Sequence, residues 1–133
     1  MSSPAGPSKK QEINRLILEA EQCLTEAQVN FAARRGRKVM EIAFLACYHA
    51  ASALWLASGL YAGEGGGPGP GETRAFGPGG KSLAAFYHQF ANVKRRLDND
   101  SKTYVNIEEV ANWLRMAGWF VSRVSLLAKK HAA

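Results

Sequence analysis

The chain holds only two cysteines, Cys23 and Cys47. They are too few for a disulfide framework and too far apart for a CxxC pair, which argues against a stapled secreted scaffold and a thioredoxin-like redox centre. Two such thiols suit a reducing, cytoplasmic setting, where each would serve as a small buried hydrophobe. No HExxH and no Cys/His ligand spacing surrounds the three histidines, so neither a metal site nor a cofactor is expected. The opening MSSPAGPS lacks the basic start, apolar run and cleavage site of a secretory signal. It reads as a flexible tail over 1–7, ahead of one domain over 8–133. Acidic residues are the minority, 11 against 17 Lys and Arg, for a net charge of +6 and a pI near 9.6. Such a balance favours an anionic partner, and nucleic acid is the commonest one for a small basic domain.

Charge is missing altogether from Ile42 to Gly63, which contains no Asp, Glu, Lys or Arg. Apolar residues on nearly every side predict a helix over about Arg37 to Ala62 that is surrounded by other parts of the fold or by lipid. Its length would span a bilayer. Seven alanines, His49 near the middle and neighbouring amphipathic helices point instead to the centre of a water-soluble bundle without membrane contact.

Those neighbours are legible from their periodicity. Ser8 and Gln11 have capping-box spacing, and Ile13, Leu16, Ile17, Ala20, Cys23, Leu24, Ala27 and Phe31 then form one apolar stripe. Gly36 offers the left-handed turn that closes this first helix, and Gly63 the one that closes the second. From Gly63 to Gly80, nine glycines and three prolines exclude regular structure and predict a long mobile loop, with Phe76 as an anchor or a partner contact. A third helix is expected over Lys81 to about Leu97, ended by Asp98-Asn99-Asp100-Ser101. Asn106 and Glu109 repeat the capping-box pattern before Ile107, Val110, Ala111, Leu114, Ala117, Val121, Val124 and Ala128. Trp113, Trp119 and Phe120 widen that helix beyond a single seam, a surplus available to a dimer face. The whole is an all-α, up-down antiparallel four-helix bundle with a long Gly/Pro-rich loop between helices 2 and 3.

No catalytic set is visible. Cys47 and His49 are two apart on a helix and point to different sides, and His49 reads as a hydrogen-bonded core histidine. GEGGGPGPGE lacks the closing Gly-Lys-Ser/Thr of a phosphate loop. Two basic clusters stand out: Arg34, Arg35, Arg37 and Lys38, and Lys94, Arg95 and Arg96. Each alone reads as an ordinary solvated helix end. In an up-down bundle the first and third helices end at the same pole, so together the clusters would form one phosphate-binding patch.

Three segments carry a family resemblance. YHAASALWLASGL (Tyr48 to Leu60) resembles the second-helix signature of HEPN domains, GKSLAAFYHQF (Gly80 to Phe90) their following helix, and TYVNIEEVANWLRMAGWFVSRV (Thr103 to Val124) their last one. The resemblance implies a small helical bundle, usually a homodimer, often paired with a nucleotidyltransferase as a toxin-antitoxin system, with RNA as a frequent substrate. Active members cleave RNA through Arg-x4-6-His, which this chain lacks. Arg96, Asp100 and Tyr104 loosely match an alternative arrangement, with His88 as a further candidate. The expected function is therefore binding of RNA or of a nucleotidyltransferase partner without strong catalysis. A metal-independent ribonuclease and a subunit of a larger nucleoprotein complex are the alternatives.

Overall fold

The computed structural model describes residues 8–59, 76–77, 79–100, 102 and 105–132. Four helices account for almost all of them: α1 (Lys9–Ala32), α2 (Gly36–Ala57), α3 (Lys81–Asn99) and α4 (Ile107–Ala132), with no strand among the described residues. The chain is an all-α four-helix bundle.

Helix α1 starts where its cap dictates. Ser8 Oγ accepts from Gln11 N–H at 3.1 Å and Gln11 Oε1 accepts from Ser8 N–H at 2.8 Å, so both halves of the capping box are made. Its end differs from expectation. Gly36 is not the left-handed residue; Arg34 is, with φ 58°. Arg35 N–H donates to Asn30 O and Arg34 N–H to Phe31 O, both at 2.9 Å, the two bonds of a Schellman closure. Gly36 instead opens α2, where its backbone runs close to two valine side chains. A Cβ there would lie 3.2 Å from Val105 Cγ1 and 3.4 Å from Val110 Cγ2, so the missing side chain lets the start of α2 approach the start of α4.

Helix α2 is the centre, with Val39, Met40, Ile42, Ala43, Ala46, Cys47, Ala50, Ala51, Ala53 and Leu54 buried. Among the described residues it is the one helix long and apolar enough to cross a membrane, and 56% of its most apolar window lies inside the protein. It stops at Ala57, five residues before the expected end, because Gly59 (φ 79°) takes the left-handed conformation assigned to Gly63. The loop over 60–75 lies outside the described residues. Phe76, the first described residue after it, is buried, with its ring 5.9 Å from that of Phe120, so Phe76 is an anchor.

Helices α1, α2 and α4 meet through small and branched side chains, including Ala20, Ala27, Ala43, Ala46, Ala117 and Ala128, all fully buried. Helix α3 is attached differently, by rings. Phe90 stacks on Trp113 at 4.8 Å and meets Phe44 edge-on at 5.4 Å, while Phe86 packs against Trp113, Trp119 and Phe120. The surplus apolar width of α4 is therefore the seat of α3. Trp113 and Trp119, read as a surplus available to a dimer face, are half-buried against α3.

Candidate nucleic-acid interface

The C-termini of α1 and α3 and the N-termini of α2 and α4 share one pole. Arg37, at the start of α2, donates from Nη1 to Leu97 O at 2.7 Å and from Nη2 to Asp100 O at 3.3 Å, clasping the end of α3. These carbonyls have no acceptor role left within the helix, and a guanidinium fork satisfies them while complementing the negative end of the dipole. Both basic clusters consequently stand at the same end of the molecule.

They are not equally free. Arg37 is half-buried and turned toward α3, and Lys94 Nζ is held by Asp98 Oδ2 at 2.7 Å. Both residues were expected in the patch, and both are engaged within the protein. Arg34, Arg35, Lys38, Arg95 and Arg96 are exposed. Lys102, in the turn six residues after Arg96 and outside the two sequence clusters, is exposed as well. The acidic first turn of α4 divides the group, since Glu108 lines a crevice with Arg34, and Glu109 lines a cleft with Arg96.

That cleft, of about 620 Å³, lies between the start of α2, the end of α3 and the start of α4. Met40, Val93, Leu97, Val105, Val110 and Trp113 form its apolar walls, and Arg96, Asn99, Asp100, Asn106 and Glu109 its polar rim. Its size suits a small ligand or one group of a larger one. Asn106 Oδ1 caps α4 by accepting from Glu108 N–H at 2.8 Å and Glu109 N–H at 3.2 Å. In the sequence Asn106 and Glu109 are helix-start signals alone, and Trp113 is part of the surplus apolar width of α4. Nothing local marks them as cleft residues, because the cleft exists only where three helix ends meet.

The catalytic candidates separate. Arg96 and Asp100 share the cleft. His88 lies eight residues before Arg96 on α3, about 12 Å along the axis at 1.5 Å per residue, and it is exposed. Tyr104 lies outside the described residues. His49 is not the hydrogen-bonded core histidine expected: its Nδ1 is buried without a hydrogen-bond partner, 3.7 Å from Glu19 Oε1. Burial pushes the Cys47 thiol far above its ordinary value and leaves it uncharged. Among the described residues no three His, Cys, Asp or Glu side chains form a metal-binding group.

Comparison of the chain with family models, curated proteins and solved structures found no match.

Proposed function

We propose that the chain is a single-stranded RNA-binding bundle whose contact surface is the pole bearing Arg34, Arg35, Lys38, Arg95, Arg96 and Lys102. The observation that carries this is the Arg37 clasp on α3, which holds the two basic clusters at one pole, beside a cleft with Arg96 on its rim and Trp113 in its wall. Cations that track phosphates beside an aromatic platform are the working parts of single-strand binders. The HEPN resemblance supports RNA as the polyanion.

Arg34 adds a second line of support. Left-handed backbone costs a residue with a Cβ about 1–2 kcal/mol, and glycine adopts it freely. An arginine kept there suggests a use for its side chain. Arg34→Gly is expected to raise stability by about 0.5–1 kcal/mol, the strain relieved less the extra chain entropy that glycine loses on folding. The same variant should bind a uridine-rich oligomer more weakly. Chemical denaturation and fluorescence anisotropy read the two effects separately, and unchanged RNA affinity would remove Arg34 from the surface.

The direct test is a salt titration. The logarithm of wild-type affinity for single-stranded RNA should fall linearly with log salt concentration, with a slope of roughly 0.7 for each phosphate neutralised. Replacing Arg95 and Arg96 with alanine should lower that slope by about 1.4. Affinity that does not change with salt would overturn the proposal.

A further inference from the structure

We infer that the cleft between α2, α3 and α4 receives one unstacked base of the bound strand and selects guanine, with Glu109 as the residue that reads its edge. The inference rests on the RNA-binding reading above.

An acidic side chain is out of place on a surface that neutralises phosphates, so its position needs a reason. Helix capping is the ordinary one for a glutamate in a first turn. Here it is only half met. At Ser8 the third residue of the helix, Gln11, reaches back to the cap N–H, whereas at Asn106 only the forward bonds from Glu108 and Glu109 N–H are made. Glu109 instead lines the cleft, and neither its carboxylate nor the Arg96 guanidinium has a side-chain hydrogen-bond or ion-pair partner among the described residues. An unpaired acid and an unpaired base on one cleft rim are poised for a ligand offering both donors and negative charge.

A nucleotide offers both. Glu109 and Trp113 are four apart on α4 and therefore neighbours on one face, so a base lying along the indole edge would turn its polar rim toward the carboxylate. Phe90 and Phe86 pack against Trp113, which fixes its ring in the cleft wall. Two carboxylate oxygens accept two adjacent N–H groups. Guanine presents such a pair on its Watson–Crick edge, N1–H and the exocyclic amine. Adenine and cytosine each set a ring acceptor beside their amine, which would face a carboxylate lone pair. Arg96, across the cleft on α3, is placed for the phosphate of the same nucleotide.

The probes are the five-nucleotide RNAs UUGUU, UUAUU and UUIUU, the last with inosine, which keeps N1–H and lacks the amine. Affinity is measured by anisotropy at one salt concentration. UUGUU should bind about tenfold or more tightly than UUAUU, as a good bidentate pair discriminates, with UUIUU between them. Glu109→Gln should abolish that preference. It should also bind UUAUU at least as well as wild type, because a negative charge has left a phosphate-binding surface, a gain that a merely misfolded variant would not show. Equal wild-type affinity for UUGUU and UUAUU, or a preference that survives Glu109→Gln, overturns the guanine assignment while salt-dependent binding leaves the RNA reading standing. Failure of all three oligomers to bind at low salt overturns both.

Discussion

Phe90→Ala is expected to lower the unfolding free energy by about 3–5 kcal/mol, the range for truncating a fully buried phenylalanine. Phe90 has no exposed surface and contacts Phe44, Phe86 and Trp113. The effect should centre on α3, because the other three helices meet one another through alanines and branched residues and do not use this ring. Urea denaturation followed by circular dichroism checks the stability. Near-ultraviolet circular dichroism checks the ring cluster, whose signal should weaken as the indole of Trp113 loses its stacking partner. Since Val93, Arg96 and Leu97 line the cleft from α3, RNA affinity should fall with α3 docking. A loss below about 1 kcal/mol would show that the ring cluster is not what holds α3.

Arg37→Ala should cost about 1.5–3 kcal/mol, the range for hydrogen bonds made by a charged group, because it removes both bonds to the end of α3. Arg37→Lys should recover only part of that, since one ammonium cannot fork across two carbonyls. The salt slope of RNA binding should remain at the wild-type value in both variants. Arg95→Ala should do the reverse, leaving thermal unfolding within about 0.5 kcal/mol of wild type, as exposed substitutions do, and lowering the slope. If Arg37→Ala flattened the slope and left stability alone, Arg37 would be a phosphate ligand and the clasp would not explain its position.

Ser8 with Gln11 placed the start of α1 to the residue, and the stripe from Ile13 to Phe31 its buried side, because capping and a 3.6-residue period act within a few positions along the chain. The aromatic surplus of α4 was equally visible in Trp113, Trp119 and Phe120, but its use was misread. A broad apolar face has the same sequence whether it meets α3 or a second subunit. Glycine was ambiguous for a similar reason. Gly36 serves close approach to Val105 and Val110, and the left-handed turn fell to Arg34; a glycine in the sequence marks either need without saying which.

The basic clusters show the same division. Their presence at two helix ends was legible, and their convergence on one pole followed from the alternation of helix directions. Which arginine turns inward was not legible, because Arg37 meets Leu97 and Asp100 only after some sixty residues of chain have closed on themselves.

The order of the helices, the N-terminal caps of α1 and α4 and the apolar character of α2 were thus determined by the sequence itself, through forces that act between residues at most four positions apart. The tertiary structure alone decided which cations remain exposed, what covers Trp113, and that Arg96 and Glu109 face one cleft. Each of these depends on contacts between helix ends that are neighbours in space and distant along the chain.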